Sequence, residues 1–246
     1  MIRISERLKT AAGLIGEGKR LADVGTDHGY VPIYLLAQGR IPCAIAMDIN
    51  RGPIQRAQEH IRQYGMEAYI QTRLSDGVAA LREGEVDTIL IAGMGGGLVM
   101  HILESGSSVC KSVDELVLQP QSELARVRKF LAENGYVIEA EEMVKEDGKY
   151  YPMMRVHYAP RTMDAPSVER ELAFSYGELL LKEKHPVLFD YLKWERRIQE
   201  GIKSRLQEQP LTEQIEARLD EVEHILAQNE RALSYFKEES ETSVPE

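Results

Sequence analysis

Short apolar runs alternate with amphipathic stretches over the first 160 residues, and this alternation predicts strands separated by helices. Five strands are predicted, over residues 20–24, 43–47, 68–72, 86–91 and 115–118. The clearest helices between them cover residues 53–64 and 122–134. An alternation of this kind is typical of an α/β domain with a doubly wound, mostly parallel sheet.

Two later apolar runs, over residues 136–140 and 153–157, flank a turn at residues 146–149. The turn contains Asp147 and Gly148, which are residue types that favour tight reversals of the chain. Because a tight turn joins antiparallel neighbours, the sheet is expected to end in an antiparallel pair of strands.

The pattern changes after about residue 160, where strand signals give way to helical ones. Helices are predicted over residues 167–184, over residues 187–209, and after a cap at Thr212. In the last two helices apolar residues recur every three or four positions, as in helices that pack side by side. These residues are Ile198, Ile202 and Leu206, followed by Ile215, Leu219, Val222, Leu226 and Leu233.

Two domains are therefore expected, one over residues 1–160 and a helical coiled coil over residues 161–246. The helical hairpin either packs on the first domain or helps to grip a large substrate. The final residues, 238–246, are expected to be disordered.

Composition favours an ordinary cytoplasmic protein. Hydrophobic residues make up 43% of the chain, which is enough for a packed core, and no apolar run approaches the roughly 18 residues of a membrane helix. The first ten residues lack the apolar core of a signal peptide. Cys43 and Cys110 form no metal-ligand pattern, so we expect reduced thiols, no metal and no membrane partner.

The net charge of −10 lowers the expectation of tight non-specific binding to nucleic acid. The charge is uneven, since residues 161–246 hold 12 Lys and Arg against 19 Asp and Glu. Residues 1–160 are left with a net charge of −3, so a local basic patch is possible there.

A glycine-containing turn follows the first predicted strand, in the segment Asp23-Val-Gly-Thr-Asp-His-Gly-Tyr30. Glycine permits a sharp turn and a close ligand, and the start of the next helix offers amide donors. Asp27 stands between the glycines, and its charge would repel a pyrophosphate but not a cation. The turn therefore favours S-adenosylmethionine, a sulfonium without phosphate, over a nicotinamide cofactor. The candidate cofactor contacts are Asp23, Gly25, Thr26, Asp27, His28 and Gly29.

The tips of the second and third predicted strands carry further carboxylates. Asp48, followed by Ile49 and Asn50, could accept both ribose hydroxyls of the cofactor, or this segment could simply cap the next helix. Asp76, followed by Gly77, could accept a hydrogen bond from the adenine amine of the cofactor, or it could cap a turn. All five residues are candidate cofactor contacts.

The fourth predicted strand ends in Ile91-Ala-Gly-Met-Gly-Gly-Gly97. A plain turn does not require four glycines in five residues, whereas a close approach of the backbone to a flat ligand would. The tip lacks the Asn or Asp, Pro, Pro and aromatic residue with which many methyltransferases orient an exocyclic amine of a nucleic acid. We therefore expect a different target atom, with Gly93 contacting the cofactor.

These segments together resemble the bacterial tRNA (adenine-22 N1)-methyltransferases. The resemblance rests on Arg3-Ile-Ser-Glu-Arg-Leu8, Asp23-Val-Gly-Thr-Asp-His-Gly-Tyr30, Asp48-Ile-Asn50, Ser75-Asp-Gly77, Ile91-Ala-Gly-Met-Gly-Gly96 and Leu118-Gln-Pro120. It implies a Rossmann-like class I methyltransferase domain, a C-terminal helical coiled coil, S-adenosylmethionine as methyl donor, and N1 of an adenine in the tRNA D-loop as target.

The expected reaction needs alignment more than a base, because adenine N1 attacks the methyl group with its own lone pair. A carboxylate near the target would stabilise the developing purine cation, and Asp27 is the first candidate. Tyr30 and Met94 are the other candidate catalytic residues, as contacts to the base. Arg7, with Arg3 and Lys9, could contact phosphate or the cofactor carboxylate, or could belong to a solvated helix face.

Three other functions remain open at this stage. They are a methyltransferase acting on a protein or a small molecule, a non-catalytic RNA-binding or scaffold module, and a nicotinamide oxidoreductase, which Asp27 disfavours. The helical hairpin could pack within one chain or between two, and we expect a monomer.

Overall fold

The computed structural model describes residues 2–160 and 167–237, and the chain divides into two compact units, Met1–Ala165 and Pro166–Glu246. The boundary expected between residues 160 and 161 meets the segment 161–166, which lies outside the described residues. The expected disorder of residues 238–246 also lies outside them.

A seven-stranded sheet forms the centre of the first unit. Its strands are β1 (Leu21–Val24), β2 (Ala44–Asp48), β3 (Ile70–Leu74), β4 (Thr88–Met94), β5 (Glu115–Pro120), β6 (Tyr136–Glu146) and β7 (Lys149–Tyr158). The order across the sheet is β3-β2-β1-β4-β5-β7-β6, with β1 to β5 parallel and β7 antiparallel to both neighbours. The expected parallel sheet and the antiparallel addition are confirmed, although β3 and β4 each begin two residues later than predicted.

Helices cover both faces of the sheet and create two apolar cores. The helices of this unit are α1 (Glu6–Gly13), α2 (Tyr30–Ala37), α3 (Arg51–Gln63), α4 (Gly96–Ser105), α5 (Ser107–Ser112) and α6 (Leu124–Glu133). Side chains of α1, α2 and α3 share one core, and side chains of α4, α5 and α6 share the other. Strand β1 is buried at all four positions because both of its faces are covered.

The register of the parallel strands brings their carboxyl ends together. Val24 pairs with Met47 of β2 on one side and with Ile91 of β4 on the other. The backbone N–H of Ser75 donates to the carbonyl of Asp48 at 2.9 Å, which joins the ends of β2 and β3. The segments predicted to carry chemistry therefore share one rim of the sheet, where open α/β sheets bind their ligands.

The second unit is helical in its described part. Its helices are α7 (Val168–Tyr176), α8 (Glu178–Lys182), α9 (Pro186–Gln207) and α10 (Glu213–Ser234). The prediction of one helix over residues 167–184 is wrong, because the chain breaks at Gly177, whose φ of +90° ends the helical path. The cap at Thr212 is confirmed, since its hydroxyl accepts from the N–H of Ile215 at 3.3 Å.

Helices α9 and α10 form an antiparallel hairpin. Lys203 pairs with Glu223 near the connecting turn, and Asn229 donates to the carbonyl of Leu192 further along. The stripe predicted on α10 faces this contact, whereas the prediction for Ile198 is wrong because 44% of its surface is exposed. The inner face of α9 follows a register one position away, through Leu188, Leu192, Glu195, Gln199, Ile202 and Leu206.

Across both described ranges, every helix is either too short or too polar to cross a bilayer. The same ranges contain no group of three or more His, Cys, Asp or Glu side chains placed to hold a metal ion.

Candidate active site

The first loop of the candidate site leaves β1 and leads into α2. The backbone N–H groups of Gly25 and Thr26 both donate to the carbonyl of Met47 at 2.8 Å, which fastens the turn to β2. The Thr26 hydroxyl accepts from the N–H of Gly29 at 3.1 Å, and Gly29 begins α2 with a φ of +68°. Because both ends of the turn are hydrogen-bonded, its backbone is held ready for a ligand.

Gly25 is required by its conformation, and a larger residue here would also displace the flexible tip of Met94. Its φ of +78° lies in the left-handed region, and an added Cβ would stand 2.2 Å from Cε of Met94. Met94 reaches this point from the end of β4, so the fold brings the first and fourth candidate segments into contact. The Met94 side chain therefore covers the turn at Gly25.

Asp23 closes β1 as a nearly buried carboxyl group. Its pKa is raised to about 6, chiefly because burial disfavours the charged form; a hydrogen bond from Thr26 lowers the pKa, and the nearby charge of Asp48 contributes to raising it. Two acidic groups thus face each other at neighbouring strand ends. Such a pair is stabilised by a cation and destabilised by a phosphate.

The ends of β2 and β3 present the remaining carboxylates. One oxygen of Asp48 accepts from the N–H of Asn50 at 2.7 Å, and the Asn50 side chain makes no capping bond to α3. Ile49 beside them exposes 58% of its surface, and Asp76 is exposed as well. Gly77 has a φ of +52° and packs against Ile102 of α4, since an added Cβ would stand 3.0 Å from that side chain.

Asp27 has a charged partner that sequence patterns did not indicate. Its carboxylate pairs with the guanidinium of Arg56 on α3, and its second oxygen lies 3.1 Å from Nε2 of His28. The side chain of Asp27 is 62% exposed, so it remains open to solvent on the rim.

His28 and Tyr30 belong to a cluster of three rings completed by His60 of α3. The ring centres of His28 and Tyr30 are 4.8 Å apart and nearly parallel, and Tyr30 stacks on His60 at 5.1 Å. Nδ1 of His60 lies 3.1 Å from the carbonyl oxygen of His28. Nδ1 of His28 is buried and has no hydrogen-bond partner among the residues the structure describes.

Arg7 and Gly93 meet at the side chain of Gln119 in β5. Gln119 is fully buried, and its Oε1 accepts from Nη1 of Arg7 at 2.8 Å and from the N–H of Gly93 at 3.1 Å. The Arg7 guanidinium also lies 5.5 Å from the ring centre of Tyr151. Nε2 of Gln119 finds no partner within the described ranges, which leaves a buried donor beside the rim.

The glycines after Met94 have a different purpose from the one predicted. An added Cβ on Gly96 would stand 2.4 Å from the carbonyl oxygen of Ser122, so this glycine makes room for the chain itself. The N–H groups of Gly96 and Gly97 are bound by the side chains of Ser122 and Glu123. Packing of the loop before α6, rather than a flat ligand, therefore explains Gly96, whereas Gly97 meets only the movable carboxylate of Glu123.

The two other candidate cations of the N-terminal segment have side chains that are at least partly exposed. Lys9 pairs with Glu6 on its own helix at 2.5 Å, and Arg3 is exposed. Arg56, His60 and Gln119 are the participants that sequence analysis missed. Only Gln119 carried a signal, because it lies in the Leu118-Gln-Pro120 segment of the family resemblance.

Comparison with known proteins agrees with this geometry. Residues 4–154 match the family model described as Methyltransferase domain, which is the Rossmann-like fold expected for the first unit. The tRNA (adenine(22)-N(1))-methyltransferase of Bacillus subtilis is 32% identical over 223 residues, covering 90% of this chain and 93% of that protein.

Two crystal structures extend the match to the whole chain. The B. subtilis m1A22 tRNA methyltransferase TrmK has a TM-score of 0.83 and 30% identity, with 95% of this chain and 100% of that chain covered. Sp1610 of Streptococcus pneumoniae in complex with S-adenosyl-L-methionine has a TM-score of 0.81 and 32% identity, covering 94% of this chain and 100% of that chain.

Proposed function

This chain belongs to the family of tRNA (adenine(22)-N(1))-methyltransferases, and we propose that it transfers the methyl group of S-adenosylmethionine to N1 of adenine 22 in tRNA. The observation that carries the proposal is the match to the B. subtilis enzyme, which extends over nine tenths of this chain. The rim of the sheet supplies the chemistry that this reaction needs.

The residues of the rim fit a cationic methyl donor. When bound, S-adenosylmethionine supplies an electrophilic methyl group on a sulfonium, and the acidic pair of Asp23 and Asp48 favours a positive ligand. Gly25 carries no side chain, so only the movable tip of Met94 lies between the backbone of this turn and an approaching donor. The buried Nε2 of Gln119 needs an acceptor that a bound polar group or water would provide.

Each carboxylate has a proposed role toward the donor. Asp48 accepts the ribose hydroxyls through the oxygen that Asn50 does not use, and Asp76 accepts from the adenine amine. Arg7, held by Gln119, faces the carboxylate of the methionine part. Ile49 lies beside the adenosine, where its exposed side chain can pack on the ring.

Catalysis requires that the reacting atoms be aligned and that the positive charge developing on the purine be stabilised. Adenine N1 attacks through its lone pair, so no proton has to leave first, and correct placement of the reacting atoms lowers the barrier. As the bond forms, positive charge moves to the purine, which a carboxylate or an aromatic face stabilises. We assign these contacts to Asp27, Tyr30 and His28, with Met94 packing against the target base.

The ion pair between Asp27 and Arg56 affects the role that we assign to the Asp27 carboxylate. Arg56 offsets part of the Asp27 charge, so the carboxylate acts both as a charge and as the group that orients His28. Asp27→Ala is expected to lose most methyl transfer while the fold survives, whereas Asp27→Asn should keep part of the orienting effect.

The test is methylation of unmodified tRNA by the purified chain, followed by nucleoside analysis for 1-methyladenosine. Circular dichroism and calorimetric binding of the donor separate an inactive enzyme from a misfolded one. Full turnover by Asp27→Ala would contradict the role of Asp27, and a wild-type chain that binds the donor but leaves tRNA unmodified would contradict the proposed substrate.

We also propose that α9 and α10 pack as a coiled coil within a monomer and help to bind the RNA. The inner stripes of both helices repeat at spacings of four and three residues, which supports this packing. The buried Asn229 donates to Leu192 and to Glu195, and such a polar contact fixes the register of paired helices.

A further inference from the structure

Helix α9 carries a second stripe that does not face α10. This outer stripe runs one position before the inner one and keeps the same spacing of four and three residues. Trp194 and Ile198, at its centre, expose 42% and 44% of their surfaces. The outer stripe consists of Val187, Tyr191, Trp194, Ile198, Gly201 and Arg205.

A row of basic residues lies beside the exposed apolar pair. Lys193, Arg197, Gly201 and Arg205 follow each other at intervals of four, so they lie above one another along the helix. All four are exposed. Lys193 and Arg197 are like charges one helical turn apart, a pair that weakens a helix, so helix stability does not favour it.

Gly201 also points to an external partner, because the packing of α9 does not require a glycine at this position. An added Cβ would meet no atom within 4 Å, and a glycine inside a helix lowers helix stability relative to alanine. A missing side chain between Arg197 and Arg205 lets another molecule approach the helix backbone closely.

The two helices of the hairpin differ in net charge. Helix α9 holds five Lys and Arg against three Asp and Glu, whereas α10 holds two against six. Ion pairs offset charges of both signs, since Arg196 of α9 pairs with Glu200 of the same helix and Lys203 of α9 pairs with Glu223 of α10. A polyanion is therefore attracted to the exposed side of α9 and repelled by α10.

We propose that the outer stripe of α9 binds the RNA substrate, with an unpaired base stacking on Trp194 and phosphates contacting Arg197 and Arg205. An exposed aromatic ring flanked by cations is the combination that holds single-stranded nucleotides. This inference rests on the proposed function, because it assigns a docking surface for the same tRNA.

The direct test uses Trp194 as its own reporter, since it is the only tryptophan of the chain. Titration of the full-length protein with unmodified tRNA should quench its fluorescence in a saturable way. Tryptophan emission that stays constant while tRNA is bound, as followed by filter binding, would overturn the proposal.

Substitutions separate stacking from charge. Trp194→Ala should weaken tRNA binding about ten-fold, and Trp194→Phe should stay close to wild type because it keeps an aromatic face. Arg197→Gln and Arg205→Gln should each reduce the slope of log Kd against log salt by about one. Arg196→Gln is the matched control, because this neighbour lies on another side of α9 and pairs with Glu200.

The kinetic pattern distinguishes this inference from the proposed function. Trp194→Ala should raise KM for tRNA while kcat and the affinity for S-adenosylmethionine stay unchanged. Wild-type methylation together with unchanged tRNA affinity of Trp194→Ala would refute the docking surface alone. Sedimentation that shows a wild-type dimer and a Trp194→Ala monomer would instead assign the stripe to a second copy of the chain.

Discussion

Gly25→Ala tests whether the turn after β1 is built for a ligand as well as for the fold. The φ of +78° is unfavourable for alanine, and holding a residue with a side chain in this region costs about 1–2 kcal/mol. For a chain of this size, each kcal/mol lowers the unfolding temperature by about 2–4 °C. The added Cβ would also displace Met94, whose Cε lies 2.2 Å from its position.

The second effect should appear in binding rather than in stability. Because the displaced tip of Met94 lies over the turn where the donor is proposed to bind, affinity for S-adenosylmethionine should fall by about ten-fold in isothermal titration calorimetry. The matched control is Gly39→Ala, which has a φ of +68° and no atom within 4 Å of the added Cβ.

Both variants should therefore lose similar stability in thermal unfolding, and only Gly25→Ala should lose the methyl donor. Wild-type affinity in Gly25→Ala, or equal loss of affinity in Gly39→Ala, would refute the argument from close approach. The comparison separates backbone strain from steric exclusion, which a single variant cannot do.

Two further predictions concern the same rim. Since burial raises the pKa of Asp23 to about 6, its ionisation opposes folding as pH rises from about 4, the usual value in an unfolded chain, to above 6. Asp23→Asn should then raise the unfolding temperature more at pH 8 than at pH 4, while calorimetry shows weaker donor binding. Gly96→Ala should lower the free energy of unfolding in urea by about 2 kcal/mol, because its Cβ meets the Ser122 carbonyl at 2.4 Å. Gly97→Ala, which meets only the movable Glu123 carboxylate, should lose less.

Elements that are buried on both sides were predictable from the sequence. The runs that became β1, β2, β4 and β5 are short and almost wholly apolar, so their location follows from burial alone. Strand β3 alternates at the edge of the sheet, and its prediction was shifted by two residues. The break at Gly177 was missed because the surrounding residues continue a helical pattern, and a single glycine does not reveal its φ.

The sequence predicted those residues of the candidate site that directly follow a recognisable strand. Asp23, Asp48 and Asp76 follow apolar runs, so topology alone places them on one rim. Arg56 and His60 reach the site from the middle and the last turn of α3, and no local pattern marks a side chain for such a contact.

The same limit explains why Gly96 was misinterpreted. A run of glycines signals a close approach, but it does not identify the approaching atom. In the structure that atom is the carbonyl oxygen of Ser122, which lies 26 residues further along the chain.

The hydrogen bond between Arg7 and Gln119 has a consequence for synthesis on the ribosome. The two residues are 112 positions apart, so the first helix leaves the exit tunnel long before its partner strand exists. A nascent chain that ends before β5 already contains the aspartates but has no anchor for Arg7, and domains generally fold as units once their chain has emerged. The rim with Arg7 held in place is therefore complete only after β5 has been translated and has left the ribosome.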